Sequence, residues 1–161
     1  MGSLISECWR SQERKLPYGD LVAWPDGRVT ILNCYAAQNF RTMERKLFCR
    51  PLCDSTIESL VRYDAAGWVA VMALTSIGCP NGMIYGGGGA FGSVGFAARV
   101  DNNDDLIWAV VFTGTNPIKE LGIHGNTLIA LNERSDLRLE INLDTLIDIR
   151  MIADNDRGIY F

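Results

Sequence analysis

Residues 137–143 read LRLEINL, and apolar and polar residues alternate through them without interruption. Successive side chains of a β-strand point to opposite faces, so this alternation predicts a strand with one buried apolar face. That face consists of Leu137, Leu139, Ile141 and Leu143. Asp144-Thr145 can form a tight turn, and the alternation then resumes with Ile147, Ile149 and Met151. The chain from 137 to 151 is therefore predicted to be a β-hairpin.

The same pattern extends towards the N-terminus. The turn dipeptide Gly125-Asn126 introduces a strand at 127–131. Further back, the polar cluster at 101–104 separates two apolar strands, 94–100 and 106–112, as in a hairpin. Residues 94–152 are thus predicted to form an antiparallel meander of five or six strands.

The first half of the chain has mixed signals. Pro25-Asp26-Gly27 predicts a hairpin turn between strands at 21–24 and 28–34, and 68–74 reads as a buried strand. Between Gln38 and Cys49, apolar residues recur at helical spacing until Pro51, which predicts a short amphipathic helix. These apolar residues are Phe40, Met43, Leu47 and Phe48. Residues 55–63 fit either a helix with a capping box or a strand.

The expected fold class is mainly β (α+β): an antiparallel meander in a sandwich-like or half-barrel sheet, with one or two short helices in the N-terminal half. Apolar residues make up 48% and charged residues 21% of the chain, as in soluble globular proteins. We expect one domain over residues 1–161, with 1–19 as a peripheral N-terminal segment.

A glycine run stands near the middle, in IYGGGGAFGSVGF at 84–96. Residues 87–94 match the phosphate-loop pattern G-x-G-x-x-G-x-V, but the chain after them continues as a strand instead of opening a helix. We therefore expect a conformational role for the run within a long irregular connection, 78–92. The residues of this functional loop are Gly86, Gly87, Gly88, Gly89 and Phe91.

No strong catalytic or metal-binding motif occurs. The five cysteines have no CxxC spacing, so reduced thiols are expected and a zinc site is not. Asp101, Asp104 and Asp105 lack the glycine and distal glutamate of a calcium loop. His124 is the single histidine and could form a Cys–His nucleophilic pair with a cysteine, but we expect a turn histidine with no catalytic role. We expect no cofactor, no metal and no enzymatic activity.

The expected location is the cytoplasm. The longest apolar runs, 68–74 and 106–112, are far too short to cross a bilayer, and residues 1–20 carry charges where an export signal has an apolar stretch. No membrane partner is expected. The first residues, MGSLIS, match the N-myristoylation pattern, and the sequence leaves open whether they are native, lipidated or a cloning remnant.

Charge is unevenly distributed along the chain. Residues 1–99 hold ten Lys/Arg and eight Asp/Glu, a net of +2, whereas residues 100–161 hold five and eleven, a net of −6. An acidic half repels phosphates and disfavours direct nucleic-acid binding. It suits a basic protein partner, and the plain alternative is a solvated face that keeps the protein soluble.

Three stretches carry a family resemblance: LIWAVVFTGTNP at 106–117, GNTLIALN at 125–132, and the alternating strand at 137–143. With them, residues 68–152 resemble cytosolic immunity proteins of bacterial polymorphic-toxin systems, such as contact-dependent growth inhibition. Ile118 stands where that pattern has an aromatic residue. The resemblance implies a small protein that binds and neutralises one cognate toxin domain, often a nuclease, and it carries over no binding residues.

Nucleases have basic clefts, so an acidic surface would mimic their substrate and speed the encounter. The hypothesis assigns that surface to acids on predicted turns and outward strand positions. They are Asp101, Asp104, Asp105, Glu120, Glu133, Asp136, Glu140 and Asp148. Two alternatives stay open: a small enzyme that uses the glycine-rich loop and a Cys–His pair, and a structural or scaffolding β-domain.

Overall fold

The computed structural model describes residues 3–63 and 67–153. Its two helices are α1 (Leu4–Arg10) and α2 (Ile57–Tyr63). The strands that precede the glycine run are β1 (Lys15–Pro17), β2 (Leu21–Ala23), β3 (Arg28–Gln38), β4 (Arg45–Thr56) and β5 (Trp68–Cys79). The remaining strands are β6 (Gly82–Gly89), β7 (Gly95–Asp101), β8 (Leu106–Phe112), β9 (Ile118–His124), β10 (Thr127–Asn132), β11 (Leu137–Asn142) and β12 (Ile149–Ala153).

The strands form two antiparallel sheets. The large sheet is an eight-stranded half-barrel with the order β1-β5-β6-β7-β8-β2-β3-β4, and the small sheet has the order β12-β11-β10-β9. The mainly-β prediction is therefore confirmed. The predicted meander is confirmed as six strands, β7 to β12, but it changes sheets between β8 and β9. It does so because β2 occupies the free edge of β8.

Both faces of the large sheet are buried around β8, which explains the unbroken apolar run in this strand. Trp108, Val110 and Phe112 face the small sheet, in the core between the two sheets. Ala109 and Val111 face the other way, into a second core that the two helices cover. A strand buried on both faces loses the polar half of its alternation.

The N-terminal segment belongs to the second core, although the sequence suggested a peripheral element. Ile5 and Trp9 of α1 and Leu16 of β1 are fully buried there. The indole Nε1 of Trp9 donates a hydrogen bond to the backbone oxygen of Asp104 at 3.1 Å. This bond ties the segment to the β7–β8 turn. Among the described residues, neither helix has the length and hydropathy to span a bilayer.

The helix predicted between Gln38 and Cys49 is wrong, since these residues are the end of β3, a turn, and the start of β4. The two strands pair in register from Arg28↔Thr56 to Gln38↔Arg45, with one bulge. The helical spacing of these apolar residues is a coincidence. In the hairpin, Phe40 and Met43 lie exposed at the tip, whereas Leu47 and Phe48 make packing contacts. Leu47 reaches the core, and Phe48 stacks on Tyr35 with ring centroids 5.0 Å apart.

The ambiguous stretch at 55–63 contains α2. The hydroxyl of Thr56 accepts a hydrogen bond from the amide of Ser59 at 3.2 Å, so the cap lies one residue later than the capping-box pattern predicted. The buried strand predicted at 68–74 is part of β5, but Met72 and Leu74 are exposed there.

The loop predicted for the glycine run is also wrong. The four glycines end β6, an interior strand paired with β5 and β7. The missing side chains allow the small sheet to approach closely. A Cβ added at Gly86 would lie 2.9 Å from Ile118, and one added at Gly88 would lie 2.6 Å from the Pro117 ring. We call the contact of Gly86, Gly88 and Gly95 with residues 115–118 the glycine seam. Phe91 lies in the following turn, exposed, with its ring edge-on to Tyr18.

Gly88→Ala tests the glycine seam. The added methyl group would overlap a proline ring that cannot rotate away, so we expect a loss of about 1–3 kcal/mol in the free energy of unfolding. Urea denaturation followed by tryptophan fluorescence measures it. Gly92→Ala is the control, because a Cβ there meets nothing within 4 Å and the change should cost less than about 0.5 kcal/mol. Equal losses in the two variants would contradict the close-approach explanation.

Candidate protein-binding groove

Two strand edges, one from each sheet, face each other at a place separate from the glycine seam. β4 is one edge of the large sheet and β12 is one edge of the small sheet, and no strand pairing joins them in the described residues. At the opposite side, β9 packs over β5 and β6. The edges β4 and β12 also approach each other closely without pairing over the described residues, and a groove lies between them.

The two edges form a groove of about 1150 Å³ between residues 46–51 of β4 and residues 145–153 around β12. Its floor is apolar and continuous with the core between the sheets. The floor residues are Leu47, Cys49, Ile149 and Met151. The groove exceeds the 300–1000 Å³ or so of ordinary small-molecule pockets, and its elongated walls suit an extended peptide.

The rim of the groove is mainly cationic. Lys46 and Arg50 on β4 and Arg150 on β12 are exposed along it, and Asp148 is an exposed acid on the same rim. The guanidinium carbon of Arg50 lies 5.5 Å from the centroid of the Phe48 ring. An apolar floor with such a rim favours a ligand with an apolar face and negative charges.

The β4 edge carries features that discourage unselective pairing. Pro51 has no amide hydrogen, and the β3–β4 register shifts beside it, so β4 offers a regular edge over Arg45–Arg50. A strand paired with both β4 and β12 would hold them about 9.5 Å apart. Their Cα atoms approach to within 8 Å, so a bound chain would pair with one edge and pack against the other.

The β3–β4 hairpin continues past the groove as an exposed arm, which we define as residues 35–48. Its tip is organised by Asn39, whose side-chain oxygen accepts hydrogen bonds from the amides of Arg41 and Thr42 at 2.9 and 3.4 Å. Met43 adopts a positive φ of 58° in the same turn. Phe40 is 84% exposed and Met43 is 67% exposed. Apolar side chains exposed to this degree mark interaction surfaces.

The arm and the groove form one continuous surface, because Lys46, Leu47 and Phe48 belong to both. The sequence did contain a signal for it. Residues 35–50 hold four basic residues and one acid, a net of +3, interleaved with aromatic residues. The predicted helix hid this signal, since helical spacing assigned the apolar residues to a buried face.

Three of the acids predicted to bind the partner lie far from the groove, in the β7–β8 turn. Asp104 forms an ion pair with Arg14, and Asp105 pairs with Arg10 at 2.7 Å. The carboxylate of Asp101 accepts hydrogen bonds from the amides of Asn103 and Asp105. Asp104 and Asp105 therefore join the turn to the N-terminal segment, and Asp101 stabilises the turn itself.

Asp136 was predicted to lie on the surface, and this is wrong, because it is only 4% exposed. Its carboxylate accepts a hydrogen bond from the Asn132 side-chain amide at 2.6 Å. The same amide also donates to the backbone oxygen of Thr115 at 2.9 Å. The pair therefore connects the β10–β11 turn to the crossover between the sheets.

The other four predicted acids lie on or around the small sheet. Glu120 is exposed on the outer face of β9, Glu133 in the β10–β11 turn, and Asp148 before β12. Glu140 is half-buried on β11 and forms an ion pair with Arg138 at 3.2 Å. In register, Glu140 also lies opposite Arg150. The fold does not bring the eight acids together into one acidic surface.

The residues weighed for catalysis are dispersed as well. His124 is exposed at the end of β9, in the small sheet. The cysteines lie in the other half of the chain: Cys8 in α1, Cys34 in β3, Cys49 and Cys53 in β4, and Cys79 in β5. Over residues 3–63 and 67–153, no three His, Cys, Asp or Glu side chains gather as a metal site requires.

Comparison of the chain with protein-family models, with curated proteins and with solved structures found no match. The function is therefore argued from the groove and the arm themselves.

Asp136→Ala tests the buried role of this acid. The change removes one acceptor of the Asn132 amide, so we expect a loss of about 1.5–3 kcal/mol in the free energy of unfolding. Glu133→Ala, three residues earlier and exposed, is the matched control and should change it by less than about 0.5 kcal/mol. Urea denaturation of both variants decides. Unchanged stability in Asp136→Ala would mean that the carboxylate is not part of the buried network.

Proposed function

We propose that this chain is a binding protein that holds another protein in the groove between β4 and β12. In line with the resemblance to immunity proteins, the partner we propose is a cognate toxin domain, met in the cytoplasm and neutralised by tight binding. The observation that carries the proposal is the pair of free strand edges facing each other across an apolar groove of about 1150 Å³.

The binding mode is strand addition. A partner segment in extended conformation pairs its backbone with the Arg45–Arg50 edge of β4. Its side chains then point alternately into the groove and outwards. Those that point inwards meet the apolar floor, including Leu47 and Met151. Backbone hydrogen bonds supply affinity in this mode, and the floor selects side chains.

The charges of the rim define the chemistry of that segment. Three cationic side chains against one acid favour a segment with Asp or Glu at its outward positions. The toxin can still be basic as a whole, as a nuclease is, because the rim contacts only one segment of it. An overall acidic surface has less support, since three acids of the β7–β8 turn are engaged locally and Asp136 is buried.

The arm extends the contact beyond the groove. Phe40 and Met43 at its tip have no partner in the core clusters, and an exposed aromatic residue on a structured turn is a good anchor for an interface. With the stacked Tyr35 and Phe48 behind them, the arm presents a preformed apolar ridge beside the groove.

The test uses the product of the neighbouring reading frame, purified and titrated calorimetrically with this protein. Reversing two rim charges, Lys46→Glu with Arg50→Glu, should weaken binding by about tenfold or more. The matched control reverses two exposed acids outside the groove, Glu120→Lys with Glu133→Lys, and should change the affinity by less than about threefold. Circular dichroism and thermal melts confirm that both variants are folded.

The affinities of the two variants distinguish binding through the groove from binding through an acidic surface. Loss in the rim variant alone supports the groove. Loss of affinity in the control variant alone would contradict the groove as the binding site and favour an acidic binding surface instead. No binding of the wild-type protein to that product would overturn the toxin partner that we propose.

A further inference from the structure

Two cysteines face each other across the β3–β4 hairpin. Cys34 and Cys49 are directly opposed in the strand register, and their sulfur atoms lie 3.5 Å apart. Directly opposed residues of antiparallel strands have Cα atoms about 4.5–5.5 Å apart. That separation lies inside the range of about 4.4–6.8 Å that a disulfide spans. The backbone can therefore accept a covalent bond between these sulfurs without moving.

The pair can be reached from the groove. Cys49 is 7% exposed on the groove floor, and Cys34 is partly exposed beside it. Cys53 lies on the same strand as Cys49, four residues along, so the two cannot be directly opposed. A small oxidant entering the open groove would thus meet the sulfur of Cys49 with a second thiol already in contact.

We propose that Cys34 and Cys49 form a peroxide-sensitive dithiol that closes into a disulfide across the hairpin. Hydrogen peroxide is the oxidant: its O–O bond breaks, Cys49 becomes a sulfenic acid, and one water is released. The sulfur of Cys34 then attacks the sulfur of Cys49, and the S–O bond breaks. The hydroxyl leaves as a second water with the thiol proton of Cys34. In total the dithiol gives up two protons and two electrons, and each peroxide yields two waters.

The hydrogen bond from Cys34 to Cys49, together with burial and the charge of nearby Asp20, raises the pKa of the Cys34 thiol. The geometry assigns the roles: Cys49, which lines the groove, is the thiol that peroxide reaches, and Cys34, whose sulfur lies 3.5 Å away, is the resolving thiol.

The disulfide would change the hairpin at a defined place. It closes a loop from Cys34 to Cys49 that contains the whole tip of the arm. A cross-link over a loop of this size restricts the unfolded chain, and we expect the melting temperature to rise by about 5–10 °C. The inference does not rest on the proposed partner, since it concerns the free protein.

The experiment treats the reduced full-length protein with hydrogen peroxide, alkylates the remaining thiols and digests with trypsin. We expect peptide 29–41, which carries Cys34, linked to peptide 47–62, which carries Cys49. Trypsin does not cleave between Arg50 and Pro51, so Cys53 lies in the second peptide as well. The Cys53→Ser protein removes that ambiguity and should give the same link.

The melting temperature provides the second readout. Oxidation should raise it in the wild-type and Cys53→Ser proteins, a thiol reductant should reverse the rise, and Cys34→Ser should show no rise. A link through Cys8, Cys53 or Cys79 would overturn the assignment. The assignment would also be overturned if peroxide oxidised Cys49 to sulfinic acid in the Cys53→Ser protein while Cys34 could still be alkylated.

Discussion

The close packing of the small sheet on the glycine strand is the contact on which the rest of the architecture depends. At Gly88 and Gly95 there is no room for a side chain, because the Pro117 ring, the Thr115 hydroxyl and the Asn116 backbone occupy the space that a Cβ would need. The crossover from β8 to β9 can therefore lie directly on the large sheet. Asn132 holds it there through its hydrogen bond to the backbone of Thr115.

On the opposite side, the two sheets meet at strand edges that do not pair with each other in the described residues. β9 lies over β5 and β6, and the small sheet then ends at β12, whose outer edge faces β4 across the groove. Larger side chains, such as Leu47 and Met151, fill the space between the sheets there. The two sheets therefore meet on both sides, at the glycine seam and at the unpaired edges β4 and β12. The groove that we propose for binding lies at these unpaired edges.

Counting acidic and basic residues along the sequence says little about the charge of a particular surface of the folded protein. The acidic C-terminal half suggested one acidic face, but ion pairing is decided by neighbours that are distant in sequence. Arg10 and Arg14 reach Asp105 and Asp104 across about ninety residues. Asp136 is buried beside the crossover, and part of the cationic rim of the groove comes from the segment that was predicted to be a helix.

The sequence by itself determined the strands whose alternation or turns are local. The strand at 137–142, the turns at 25–27 and 101–104, and the mainly-β class follow from side-chain periodicity and turn chemistry, which act over a few residues. Only the tertiary structure decided the glycine strand, the arm and the groove. Glycine is a poor strand former, and its place in β6 is explained only by the close approach of the small sheet. The four apolar residues at helical spacing lie in a hairpin because β3 and β4 pair in register over a long stretch. The groove has no local signal at all, because it is the gap between two edges that are about a hundred residues apart in the chain.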